Sequence, residues 1–225
     1  MPGDRTRGIS EMGFPIFVYF ITMSLQDSYD CIMKKTNIYF ENVVLDKELT
    51  ENGIDLNELM ALAKVLLTFN DNQGNGYKKA IPVMQYLHNE GVIYYDYDLA
   101  TFYLEGKVIA EDGPLAIELL KGIASSPIND ALSMRKLGDC YHYGSGTSSN
   151  ATEAIKWYEK GAAYGDEYSA LNAGVLYARG FREMKPNYKK AKPFLKMIKH
   201  DKEYKQIAKE WLEAIKNGDT PDYSF

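Results

Sequence analysis

Cysteine is scarce in this sequence: Cys31 and Cys140 are the only two, they form no C-x-x-C pair, and no disulfide framework is advertised. The three histidines, His88, His142 and His200, are scattered, and none stands in H-E-x-x-H or another ligand spacing, which argues against a protein-built zinc site. Positive charge is also in short supply. The formal net charge is −5, and no lysine and arginine cluster is interleaved with aromatics, so no field gathers phosphate backbones and nucleic acid is not an expected partner. Catalytic signatures are missing as well: nothing resembles G-x-S-x-G, a papain-type cysteine motif or a P-loop. Residues 71–76, DNQGNG, begin like a calcium loop, but the twelfth position is Pro82, which has no carboxylate to close such a site, so an inter-helix loop is expected. No metal, cofactor or enzymatic activity is therefore expected.

Long apolar runs are absent too. The run 14–23, FPIFVYFITM, falls short of the roughly 20 residues that a membrane-spanning helix needs, so no membrane span is expected. Three readings of it stand: the h-region of a signal peptide over residues 1–24, preceded by Arg5 and Arg7 but followed by no A-x-A; a strand paired with residues 37–45; or an extension upstream of a start at Met23. A cytoplasmic location is favoured by the low cysteine count, with a periplasmic or secreted one following from the signal reading. Residues 1–51 are accordingly set apart as an N-terminal segment.

What is present is ordinary globular composition, 45% hydrophobic and 25% charged residues, on a chain long enough to bury a core. From residue 52 to 225 the informative feature is self-similarity. The stretch EAIKWYEKGAAYG at 153–165 recurs in outline around Ala80, Ala116 and Ala191, which with Ala154 are spaced 36, 38 and 37 residues apart. A second element keeps the same period: SMRKLGDCYHYG at 133–144, SALNAGVLYARG at 169–180 and YDYDLATFYLEG at 95–106, with LAKVL at 62–66 as a shorter copy. At 3.6 residues per turn Leu137, Gly138, Tyr141 and Gly144 share one face, so this element is a helix whose small residue permits close approach and whose glycine ends it. Each unit of about 37 residues thus reads as helix A, a polar turn and helix B, with Asn150 or Thr152 available to cap the B helix of the third unit. Trp157 and Tyr158 are replaced in the other units by Val83-Met84, Leu119-Leu120 and Phe194-Leu195, which reads as apolar packing rather than an aromatic ligand site. Ala162 and Ala163 are expected to let the next helix A approach, residues 201–216 to cap the last unit, and the 145–150 loop to tolerate change.

The third unit resembles the Sel1-like repeat, a relative of the tetratricopeptide repeat, on Ser133, Leu137, Gly138, Tyr141, Gly144 and Gly146 and then Ala154, Trp157, Tyr158, Lys160, Ala162 and Gly165. The other units keep fewer of these positions, and the resemblance spans about residues 56–200. It implies an all-α solenoid of about four helix-turn-helix repeats, wound as a right-handed superhelix, with helix A of each unit on the concave side. The residues of that side are then Tyr97, Asp98, Thr101 and Glu105 in the second unit, Arg135, Lys136, Asp139 and Tyr143 in the third, and Leu171, Asn172, Val175 and Arg179 in the fourth. They are expected to point away from the stack, and their mixture of aromatics, arginine and carboxylates suits protein recognition. The function the resemblance implies is a non-catalytic adaptor binding another protein or peptide. The same resemblance permits an immunity protein that neutralises a cognate toxin; an enzyme is the weakest alternative.

Overall fold

The computed structural model describes residues 56–68, 74–128, 130–181 and 184–219. The readings of residues 1–51 and the start of the 71–76 loop lie outside these. The chain divides into two compact units, Met1–Tyr95 and Asp96–Phe225. In the first, helices α1 (Leu56–Thr68) and α2 (Asn75–Asn89) pair, followed by a 3-10 turn at Ile93–Tyr95. Leu62, Ala63, Leu66, Ala80, Met84 and Leu87 form the apolar seam between them. The hydroxyl of Tyr95 donates to the Met60 carbonyl at 2.7 Å, tying the turn to α1.

The second unit contains α3 (Asp96–Glu105), α4 (Gly113–Ser125), α5 (Ala131–Tyr143), α6 (Ala151–Ala163), α7 (Glu167–Arg179), α8 (Tyr188–Met197) and α9 (Lys202–Asn217). Every described element is helical; the sole extended feature among the described residues is an isolated antiparallel bridge between Phe181 and Met184. The period read from the sequence maps onto this order, with α3, α5 and α7 as A helices and α4, α6 and α8 as B helices. Successive helices pack on one another, and α9 closes the stack by laying the fully buried Trp211 with Ala208 and Ile215 against α7 and α8.

Local chemistry fixes the starts of α4 to α9. Asp112, Asp130, Asn150, Asp166, Asn187 and Asp201 each accept from the N–H three residues on, satisfying one of the orphan donors of the first turn. In the third and fourth repeats the same aspartate also accepts a hydrogen bond from the hydroxyl of a fully buried serine, Ser133 or Ser169, which accounts for the small polar residue at the head of the motif.

The motif glycine works as the spacing predicts. A Cβ placed at Gly138 would lie 2.5 Å from carbons of the Tyr158 ring, and one at Gly174 would lie 2.7 Å from Leu195 Cγ. Helix A therefore offers a socket, and helix B of the same repeat fills it. Two expectations need correction. Ala163 is exposed, and the close approach to the next helix A is made by Gly161, whose added Cβ would meet Ser169 Oγ at 2.6 Å, together with the buried Ala162. The 145–150 loop is not free of packing either. Gly146, at φ 71°, abuts Gly113 at the head of α4 so closely that a Cβ on Gly113 would fall 2.3 Å from its Cα, while the Asn150 N–H donates to the Tyr141 carbonyl at 2.7 Å. Only Ser145 and Ser148 in this loop, besides the capping Asn150, are exposed.

Candidate functional site

Helices α5 and α7 carry the part of the A-helix face where a groove forms. Their C-terminal turns, the α5–α6 loop and the α7–α8 loop enclose an open groove of about 750 Å³. Its walls are His142 and Tyr143 from α5, Asn172, Val175 and Arg179 from α7, and Phe181, Met184 and Lys185 from the following loop. Phe181 and Met184 exchange backbone hydrogen bonds at 2.9 and 3.0 Å, the Asn187 N–H reaches the Tyr177 carbonyl, and Gly180 adopts φ 72° where an added Cβ would also press on the Met184 carbonyl oxygen at 2.5 Å.

Of the residues chosen from the sequence, Tyr143, Asn172, Val175 and Arg179 meet on this groove. Tyr143 is 54% exposed and stacks on the His142 ring at 4.5 Å, which fixes its direction. Phe181 meets the same histidine edge-on at 5.6 Å. Burial pushes the His142 pKa down, opposed by the Asp139 charge and aided by Arg179, so the ring is neutral at pH 7. Burial raises the Tyr143 phenol, with Asp139 adding to the effect. Arg179 is exposed; the Asn172 amide donates to the Tyr168 carbonyl at 2.9 Å.

The remaining chosen residues do not line the groove, and several of the full set, Val175 among them, do not point away from the stack. Leu171 and Val175 are 3% and 6% exposed, the first a core residue and the second both core and groove floor. Asp139 turns inward, accepting from the buried Tyr158 hydroxyl at 2.7 Å, and desolvation raises its pKa while hydrogen bonds from Tyr158 and Tyr168 oppose the rise. Tyr158 is correspondingly raised by burial and by Asp139. Arg135 is committed to the repeat junction, 3.7 Å from Asp166 and over the Tyr168 ring at 5.3 Å. Lys136 is half-buried and acts on Asp139. On α3, Tyr97 is half-buried with its phenol raised by burial, Asp98 is raised by burial, the Thr101 hydroxyl donates to the Tyr97 carbonyl, and the exposed Glu105 pairs with Lys107.

Sequence reasoning missed His142 and the whole α7–α8 wall. The signal was available in GFREMKPNY, where phenylalanine and methionine stand in a loop with no helical period to account for them. Among the described residues no group of three or more His, Cys, Asp or Glu side chains is placed to hold a metal ion, and no helix is long and apolar enough to cross a membrane.

The Sel1 repeat family model matches residues 93–121, 131–166 and 168–197. Three segments within residues 93–197 thus match the Sel1 repeat. The α1–α2 pair precedes the matched segments. Among solved structures, a Sel1 repeat protein from Oxalobacter formigenes is similar in fold, with a TM-score of 0.58 at 18% identity over 88% of this chain and 79% of that one. A second is c5321, described as a protective antigen present in uropathogenic Escherichia coli strains and displaying an SLR fold; its TM-score is 0.51 at 14% identity, covering 90% of this chain and 51% of that one. No curated protein matches the sequence. In Sel1 terms, the groove lies on the A-helix face of the third and fourth repeats.

Proposed function

We propose that this chain is a non-catalytic interaction module that holds another protein or a peptide on the face formed by α3, α5 and α7. Sel1 repeats generally mediate protein–protein interaction, and this gives the reading its class. The observation that carries it to a place is the groove between the third and fourth repeats, where an exposed, ring-stacked Tyr143 and an exposed Arg179 flank an apolar floor. Tyrosine and arginine supply large contact areas and charge-assisted hydrogen bonds, and they dominate the anchors of measured interfaces.

The test is a pair of pull-downs from the source cell with the natural chain and with Tyr143→Ala/Arg179→Ala, followed by calorimetry on the partner recovered. Both side chains point to solvent, so the melting temperature should stay nearly unchanged. Affinity should fall by roughly thirtyfold or more, the equivalent of about 2 kcal/mol for one central anchor. Equal affinity in the folded double variant would remove the binding site from this face. If the recovered partner is a toxin and the chain abolishes its activity, the adaptor narrows to an inhibitor.

A further inference from the structure

The charge of the chain is unevenly distributed. Residues 188–209 hold eight lysines against Asp201 and Glu203, a net +6 in a chain of net −5, which leaves −11 for the other 203 residues. Helix α8 itself carries four of those lysines and no acidic residue. Its buried stripe is Ala191 and Leu195; on the opposite arc, at about 100° per residue, Lys192, Lys196 and Lys189 run into Pro193, Met197 and Lys190. All six are exposed, Met197 by 40%. Lys199 and Lys202 carry the charge across the connection to α9, where Lys205 Nζ lies 3.5 Å from the Lys199 carbonyl oxygen. Several cations elsewhere are matched, as in Lys107–Glu105, Lys156–Glu153 and Lys216–Glu213, but none of these eight lysines is paired with a carboxylate among the described residues. Lysine instead follows lysine at i+3 and i+4, as Lys189, Lys192 and Lys196 on α8 and as Lys202, Lys205 and Lys209 on α9. Like charges at that spacing destabilise a helix unless an external anion offsets them.

We propose that this face docks on an anionic lipid bilayer, with the lysines of α8 and of the α8–α9 connection on headgroup phosphates and with Pro193 and Met197 at the acyl boundary. Three observations favour a bilayer over other anions. The cations are all lysine, and no arginine stands between residues 184 and 225. Flexible point charges suit a fluid array of headgroups, whereas a guanidinium fork suits the fixed geometry of a carboxylate or a base edge. The neighbouring rings are engaged in the stack: Phe194 lies on Tyr177 at 6.0 Å, Tyr204 meets Tyr168 edge-on at 5.9 Å, and Tyr188 packs on the core, so none of the three stands free among the lysines to stack a nucleobase. Finally, apolar Pro193 and Met197 lie between lysines, the order found on helices that rest in a membrane interface. The acidic remainder of the chain sets the orientation. It is repelled by the same bilayer within a Debye length, about 10 Å in 0.1 M salt, so the α8 side approaches first. The lysine face belongs to a B helix and its connection, so this docking stands apart from binding on the A-helix face.

The experiment is co-sedimentation of the full chain with vesicles of phosphatidylcholine alone and of an equal mixture of phosphatidylcholine and phosphatidylglycerol. The chain should bind the mixed vesicles about tenfold or more tighter than the neutral ones, and rising salt should erase the difference. Lys192→Glu/Lys196→Glu/Lys199→Glu should lose about tenfold or more of that affinity. Lys64→Glu/Lys107→Glu/Lys121→Glu changes the net charge equally at exposed lysines elsewhere and should retain it. If either triple variant unfolds, the corresponding Lys→Gln sets replace both, with the same order expected. No preference for the anionic vesicles, or an equal loss in the two triple variants, overturns the inference. So does tighter binding to polyglutamate or to oligothymidylate than to the mixed vesicles at equal anionic charge, which would assign the face to an acidic protein or to a nucleic acid.

Discussion

In the third repeat Gly138 on α5 receives the ring of Tyr158 from α6, whereas in the fourth Gly174 on α7 receives the side chain of Leu195 from α8. The sockets are equivalent, but their surroundings differ in step with their contents. Tyr158 carries a hydroxyl into the interior, and Asp139, one residue past the glycine, accepts it at 2.7 Å. Leu195 carries none, and the residue one past its glycine is Val175, 6% exposed. A buried phenol needs a partner and a buried isobutyl group needs none, so polar is matched with polar and apolar with apolar. The repeat therefore keeps volume and spacing constant between its copies while leaving the chemistry of the contact free to change.

The harshest way to break this comparison is to fill the sockets. Gly138→Leu and Gly174→Leu should both destabilise, by about 1–3 kcal/mol or more, because overpacking a close contact forces the backbone to shift. Gly138→Leu should be the worse of the two. Its neighbour is a rigid ring held at its far end by Asp139, and the clearance for a Cβ is smaller, 2.5 against 2.7 Å. Denaturant unfolding of both variants checks the order; a neutral Gly138→Leu would mean that the packing face has been misassigned.

That socket was legible in the sequence because a small residue at a fixed place in a periodic helix points to the close approach of a neighbouring helix. The same holds for the helix order, for the cap formed by α9, and for Asn150 as an N-cap, all of which follow from local periodicity and from end signals a few residues long. The Tyr158–Asp139 pair was not legible, because it joins positions on two helices and because the other repeats, with apolar residues in place of Tyr158, suggest apolar bulk alone. The groove was half legible. Tyr143, Asn172, Val175 and Arg179 follow from the register of the A helices, but Phe181, Met184 and Lys185 lie in a loop whose path no periodicity predicts. Orientation failed for Leu171 and Val175 because α7 is covered on more sides than α5: α8 and α9 both pack on it.

A subtler test exchanges the chemistry without changing the socket. Asp139→Val alone leaves the Tyr158 hydroxyl buried without an acceptor and should cost roughly 1–3 kcal/mol. Tyr158→Leu alone removes one of the two hydroxyl donors, Tyr168 being the other, from a half-buried carboxylate and leaves space beside Gly138. The double variant installs in the third repeat the Val and Leu of the fourth, so it should be less destabilised than the two single changes added together, by about 0.5–3 kcal/mol. Strict additivity in the double-mutant cycle would show that the match between the two repeats is coincidental.

The smallest expected effect lies where the fourth repeat does something the third does not. Glu167 stands in the first turn of α7 where the third repeat has Ala131, and its carboxylate accepts the N–H groups of Lys199, His200 and Asp201 at 2.7, 2.9 and 2.8 Å, with the His200 ring Nδ1 at 2.9 Å. It thus fastens the α8–α9 connection, a task that belongs only to the repeat next to the cap. The backbone donors, that of Asp201 foremost, hold its pKa down at about 2 from an ordinary 4.5. A folded-state pKa below the unfolded one stabilises the fold fully above pH 4.5 and progressively less as the pH falls toward 2. Glu167→Gln should therefore flatten the acid limb of the stability profile between these values, because the variant lacks at neutral pH the contribution that the natural chain loses only on acidification. His200→Ala should change almost nothing, since that side chain is 90% exposed and an exposed ion pair is worth little. An unaltered acid limb in Glu167→Gln would show that other carboxylates set it and that the linker is held by the packing of Ile198 and Trp211.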